Sequence, residues 1–317
     1  MKRKVSAAAL LAASAIVLTS CSSGDTDTDG LQITTSIYPL EYVAEQVGGD
    51  HVSVSSITPP GSDDHSLELS PRQVTDLEKV DLVITLSNYQ PAMDDAIGAT
   101  DLSRVIDAAD HVDLLDWGGH DDHDDHDHHE GEHGEEEHDD HGHSHVGADP
   151  HFWLDPMRMA NLASPVAEEL AQIDPDNADE YRANADAFME QMEQLDADYT
   201  AGLAQCDSTT FIVSHEAFGY LSDSYGLDQQ SIAGLEIDVE PSPRRVAEIT
   251  DLIEESGVGV IFATSQSEMT LISALADEAG IDVEILDASA TQIDDTVDYE
   301  ELMRNNLAKL QNSLGCR

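Results

Sequence analysis

Residues 178–203 read ADEYRANADAFMEQMEQLDADYTAGL, a stretch without glycine or proline until Gly202. Tyr181, Ala185, Phe188, Met192, Leu195 and Tyr199 recur at steps of three and four, the period of a helix with one apolar face. A helix of about 25 residues is roughly 37 Å long, enough to connect two lobes. The methionine and aromatic stripe is core packing and needs no ligand role.

Strand-like and helix-like segments alternate on both sides of it. Before it, residues 31–36, 51–57 and 82–86 read as strands, and 39–47 and 70–80 as helices. After it, 210–214, 258–263 and 283–286 read as strands, and 217–225, 243–256, 269–279 and about 298–314 as helices. The expected fold is α/β: two lobes, each a mostly parallel sheet with flanking helices, joined by one long rigid helix. The expected boundaries are an N-terminal lobe at 31–165, a linker helix region at 166–204 and a C-terminal lobe at 205–317. A mature chain of about 290 residues favours two cores on length alone.

The chain opens with Lys2, Arg3 and Lys4, then an apolar run over 5–18 closed by Leu18-Thr19-Ser20-Cys21. The run is shorter than the roughly 20 apolar residues of a bilayer span and reads as a signal peptide over 1–20. A cysteine directly after small residues looks like a bacterial lipobox, so Cys21 is the expected lipidation site, with 21–30 a flexible tether and the protein held at the outer face of the cytoplasmic membrane. Two cysteines remain. Cys206 precedes a strand-like run and Cys316 is next to last, and in a compartment where disulfides persist a bridge between them is expected to pin the C-terminus onto its lobe.

Acidic residues number 66 against 13 basic, a formal charge of −53. The segment 118–147 contributes 12 of the acidic residues, so its removal still leaves about −41, and the acidity belongs to the whole surface. Such a field repels nucleic acid and anionic headgroups and attracts cations. Lys79 and Lys309 are the only lysines after the leader, a balance that suits either a high-salt habitat or a genome poor in lysine codons.

Ligands in open α/β sheets gather beyond the carboxyl ends of strands. His65 lies in the polar loop after strand 51–57, His215 directly follows strand 210–214, and Asp287 directly follows strand 283–286. His151 sits in DPHFWLDP, between a histidine-rich segment and the long helix. Three imidazoles and one carboxylate form a tetrahedral nitrogen and oxygen set that suits zinc, expected in the cleft between the lobes. His51 and His111 flank strands without that placement and are expected on the surface.

SIYPLEYVAEQVGGDHV, PPGSDDHSLELSP, DPHFWLDP, SHEAFGYLSDSYGL and EILDAS resemble, in the same order and over nearly the whole mature chain, the cluster of bacterial zinc and manganese solute-binding proteins of ABC importers. NYQPAMDDAI and GLEIDVEPSPRRVAEI are similar to that family as well. By position, the resemblance implies that His65, His151 and His215 are the histidine ligands and Asp287 the acidic fourth. It implies zinc over manganese, because manganese members commonly carry Glu where this chain has His215. Asp64 stands where the family usually has Pro, Thr264 where Glu is frequent, and Ala288 where Pro is common after the acidic ligand.

Between the motifs, His120, His123, His126, His128, His129, His133, His138, His141, His143 and His145 alternate with carboxylates. That composition cannot build a core. It offers many weak, exchangeable zinc ligands, suited to gathering metal near the cleft or sensing its abundance, or it is a solvated spacer that chelates incidentally. The resemblance implies a monomeric lipoprotein, not an enzyme, that captures Zn2+ and delivers it to an ABC permease. The alternatives are a manganese carrier and a surface zinc buffer or adhesin. A zinc hydrolase is disfavoured because its metal needs an open position for water, which a fourth protein ligand closes.

Overall fold

The computed structural model describes residues 30–62, 64–116, 147–233, 242–266, 268–292, 294 and 296–317. The leader, Cys21, the tether as far as residue 29, the ten histidines of 120–145 and the whole GLEIDVEP string lie outside the described residues.

The first lobe runs β1 (Leu31–Thr35), α1 (Tyr38–Gly48), β2 (Val52–Ser56), α2 (Pro71–Leu77), β3 (Leu82–Thr85), α3 (Pro91–Ala99) and β4 (Val105–Asp107). Two short helices follow, α4 (Pro156–Ala160) and α5 (Ala163–Ile173), and then the long α6 (Ala178–Leu203). The second lobe runs β5 (Thr210–Val213), α7 (Gly219–Tyr225), β6 (Asp228–Ser231), α8 (Pro243–Ser256), β7 (Val260–Ala263), α9 (Met269–Ala279), β8 (Asp282–Ile285) and α10 (Tyr299–Leu314). All pairings are parallel, in the order β2-β1-β3-β4 in one sheet and β6-β5-β7-β8 in the other. The two lobes therefore share one topology. In each, the strand order reverses beside the first strand, and a crevice opens there at the carboxyl ends.

The expected pair of parallel sheets is what forms. β3 (LVIT) and β7 (VIFA) are buried at every residue, as central strands covered on both faces must be. Helix starts follow local chemistry: Ser70 and Gln73 form a capping box before α2, Asp155 caps α4 and Asp298 caps α10, each supplying an oxygen to otherwise unpaired N–H groups. Sequence periodicity did not indicate β4 and β6. β4 has three residues and β6 reads DQQS, a polar edge strand whose side chains carry no apolar alternation.

α6 is continuous for 26 residues, and Tyr181, Ala185, Phe188, Met192, Leu195, Tyr199 and Leu203 are its buried face. Its first half meets α1, with Asn184 donating to the Val47 carbonyl at 3.1 Å and Gln191 to the Tyr42 hydroxyl at 3.1 Å. Its second half meets the other lobe, with the Tyr199 hydroxyl donating to the Met303 carbonyl at 2.7 Å and the Tyr225 hydroxyl to Asp196 at 3.0 Å. The main core is one cluster running through both lobes. Smaller clusters lie beneath α8 and α9 and beneath α2 and α3. Cys206 and Cys316 are bonded, which ties the end of α10 to the chain leaving α6.

Phe188 is 2% exposed in the shared core. Phe188→Ala is expected to cost about 3–5 kcal/mol, from lost transfer energy and the cavity left behind. Urea denaturation of the two proteins measures this, and a loss below about 1 kcal/mol would show that α6 is not packed as described.

Candidate metal centre

Loops at the carboxyl ends of both sheets converge on a cavity of about 310 Å³ between the lobes. His65, His151 and His215 meet there, with one nitrogen of each within 4.8 Å of the other two. The ring centroids are 5.5, 5.3 and 5.2 Å apart. His151 Nε2 and His215 Nε2 are separated by 3.4 Å. Two nitrogens bound to one tetrahedral zinc at about 2.0–2.1 Å would sit roughly 3.3 Å apart, so this pair already has the spacing that an ion requires.

Each histidine is held by its own element. His65 is on the loop after β2, where Gln90 Nε2 donates to the Asp64 carbonyl at 2.7 Å and to Thr58 Oγ1 at 2.9 Å, and the Tyr89 hydroxyl donates to the Asp64 carboxylate. Tyr89 also packs edge-on against the His65 ring at 4.9 Å. His215 lies one residue beyond β5, with the Ser214 amide between them donating to the Phe262 carbonyl of β7 at 2.8 Å, and is 2% exposed.

His151 is 1% exposed and is oriented by Asp149, whose Oδ1 lies 2.8 Å from Nδ1 and 3.0 Å from the His151 amide. Since a carboxylate only accepts, Nδ1 carries the proton and Nε2 presents its lone pair to the cavity. Asp149 is fixed in turn. The Tyr220 hydroxyl of α7 donates to its carbonyl, and the Asp149 amide donates to the Leu115 carbonyl at 2.9 Å. A Cβ at residue 219 would come within 2.6 Å of Asp149 Oδ2, so Gly219 leaves room for the carboxylate. Sequence reading missed Asp149, although its spacing of two from His151 in DPH is that of a side chain bonding back to the local backbone. Asp149→Asn is expected to weaken zinc binding about 10- to 100-fold while leaving the chain folded. An unchanged dissociation constant by chelator competition would contradict this role.

Asp287 lines the same cavity but is not one of the three groups within 4.8 Å. Its Oδ1 accepts the Ser289 amide at 2.8 Å, and its own amide donates to Asn306 Oδ1 at 3.0 Å. Burial raises its pKa, opposed by the Ser289 amide and then by the charge of Lys309. The loop beyond it joins the lobes: Trp153 Nε1 donates to the Ala288 carbonyl at 2.7 Å and the Tyr38 amide to the Ala290 carbonyl at 3.1 Å. Thr264, the departure noted at the end of β7, bonds a second carboxylate lining the cavity, Glu268, through its hydroxyl at 2.7 Å and its amide at 3.2 Å. His51 lies away from the cavity, 3.0 Å from Glu180 and edge-on to Tyr181, and His111 is exposed.

The described lining includes Asp64, Glu268 and Asp287 and neither lysine nor arginine. Three imidazole nitrogen donors inside an acidic, partly open crevice can hold a divalent cation of zinc's preferences.

Comparison with known proteins gives matches over nearly the whole chain. Residues 33–313 match the family described as zinc-uptake complex component A, periplasmic. The zinc-binding lipoprotein AdcA of Streptococcus pneumoniae strain R6 is 31% identical over 94% of this chain, which spans 59% of the length of that relative. The high-affinity zinc uptake system protein ZnuA of Bacillus subtilis strain 168 is 29% identical, with 99% of each covered. Among solved structures, the Zn(II)-bound ZnuA-like domain of Streptococcus pneumoniae AdcA superposes with a TM-score of 0.71 at 27% identity, covering 90% of this chain and 99% of that domain.

Proposed function

This chain belongs to the family of periplasmic zinc-uptake complex component A proteins, and from that premise we propose that it captures Zn2+ outside the cytoplasm and delivers it to an ABC permease. The observation that carries the reading is the three-histidine cluster, with His151 Nε2 and His215 Nε2 already at the spacing of a shared ion. Zinc is cargo here: it must be held tightly enough to be gathered and then released. His65 comes from one lobe and His215 from the other, so a small separation of the lobes would take the ligand set apart.

Asp287 is the fourth ligand in this proposal. Its carboxylate accepts the Ser289 amide and lines the cavity in which the three histidines meet. The N-terminal leader and Cys21 make the protein a membrane-anchored lipoprotein, in keeping with the AdcA relative's name.

Binding, with no catalytic step, is the activity proposed. His129-Glu130-Gly131-Glu132-His133 does spell HExxH within the histidine-rich stretch, a match not singled out above. That motif requires a packed helix to bring both imidazoles to one face, and its neighbours are Asp, Glu, His and Gly, with no apolar residue to pack such a helix.

Calorimetric titration with zinc and manganese, on the whole chain and on a chain lacking 118–147, tests the reading. One tight zinc site per molecule, retained after the deletion and preferring zinc to manganese, is expected. Loss of tight binding with the deletion would point instead to a surface zinc buffer centred on the histidine-rich segment.

A further inference from the structure

The metal cavity contains a carboxylate that the three-histidine set does not require. Glu268 is 8% exposed and lines the cavity beside His215. It occupies the N-cap position of α9 without a side-chain cap bond and lies at the reversal of strand order between β5 and β7. Its carboxylate accepts three hydrogen bonds, from the Ser214 hydroxyl and from the Thr264 hydroxyl and amide. All of these donors are neutral, and none of the ion pairs among the described residues includes Glu268.

A buried carboxylate without a cation is costly, so a fold that retains one beside an acidic, cation-free cavity leaves it available to an incoming charge. Its oxygens are held by neutral donors only, and it stands at the N-terminus of α9, whose backbone dipole is positive at that end. It is also mechanically linked to the site, because Ser214 precedes His215 and joins β5 to both Glu268 and β7.

We infer that Glu268 is a positioning and counter-charge residue for the captured cation, standing one layer behind His215. The three histidines bring no charge to a doubly charged ion. Asp287 and Glu268, which both line the cavity at the ends of neighbouring strands, together neutralise it. Glu268 does so without entering the ligand set: its oxygens stay on Ser214 and Thr264, and its influence reaches the ion through the His215 segment and through space. This rests on the proposed zinc site.

The experiment compares zinc dissociation constants, by chelator competition, for the parent chain, Glu268→Gln, and Glu268→Gln combined with Thr264→Glu. The second substitution returns a carboxylate from the residue that now bonds Glu268. The metal-free melting temperature of each protein is measured in parallel. Glu268→Gln is expected to bind zinc about 10- to 100-fold more weakly with the metal-free melting temperature unchanged or higher, and the double variant to recover most of the affinity. Equal affinity in Glu268→Gln and parent overturns the inference. So does weakened binding that accompanies a fallen metal-free melting temperature and is not recovered in the double variant, since that pattern is a folding role. A parent chain with no tight site would instead overturn the function proposed above.

Discussion

Replacing His215 by Ala is expected to abolish tight zinc capture, an effect larger than the about 10- to 100-fold carried by outer hydrogen-bond partners of a metal site. Residue 215 is at the end of a buried strand, its neighbour Ser214 is fixed to Phe262, and the cavity wall around it is packed. Among the described residues of the lining, His65 and His151 are the other imidazoles and both are already in the set, so water is expected in the vacated position. His151 Nε2, now 3.4 Å from its counterpart, would keep its orientation through Asp149 but lose the partner that completes the geometry. Fold stability without metal should change little, because the alanine removes a polar ring from a polar cavity. His215→Glu should behave differently, retaining binding while moving preference toward manganese, for which a harder oxygen donor is better suited. Competition titrations with both metals measure this; zinc affinity in His215→Ala equal to that of the parent is the result that would remove His215 from the site.

The same residue shows why so much of this protein was legible in its sequence. A buried strand of β-branched and aromatic residues ends in Ser-His, and strand ends in open sheets are where ligands gather, so His215 could be placed before its neighbours were known. The long helix was equally clear, since seven buried positions at helical spacing leave little ambiguity. Elements without such periodicity were lost: β6 is polar because it is an edge strand, and β4 is too short to show alternation. Asp149 and Glu268 were missed for a different reason. Asp149 left a local signal, its spacing of two from His151, but the Tyr220 contact that fixes it comes from the other lobe, and the Glu268 to Ser214 contact across 54 residues leaves no local pattern at all. Asp287 shows the converse, a residue placed correctly at a strand end whose carboxylate is turned to Ser289 and stands outside the histidine cluster.

Zinc capture should also fail steeply in mild acid, with the metal-free fold intact. Zinc requires neutral imidazole, and the ordinary imidazole pKa is about 6.5. Below that value up to three protons compete for one ion, so for three ordinary imidazoles the dissociation constant rises by up to about 500-fold between pH 6 and pH 5. Asp287 adds to this competition. Burial raises its carboxyl above the ordinary range, so it takes up a proton at a higher pH than an exposed aspartate does. The consequence for folding has the opposite sign. A carboxyl whose folded pKa lies above its unfolded value binds protons more readily in the native state, so its contribution to stability is fully present below the unfolded pKa and declines as pH rises through the folded one. Acidification therefore relieves the burial cost of Asp287 in the metal-free protein while it removes the metal. Since bound ligand stabilises only in proportion to the logarithm of its occupancy ratio, the zinc-induced rise in melting temperature should be large at pH 7.5, small at pH 6 and absent at pH 5, whereas Asp287 itself should not lower the metal-free melting temperature over that range. A zinc-induced rise that persists undiminished at pH 5 would mean that imidazole nitrogens do not hold the ion.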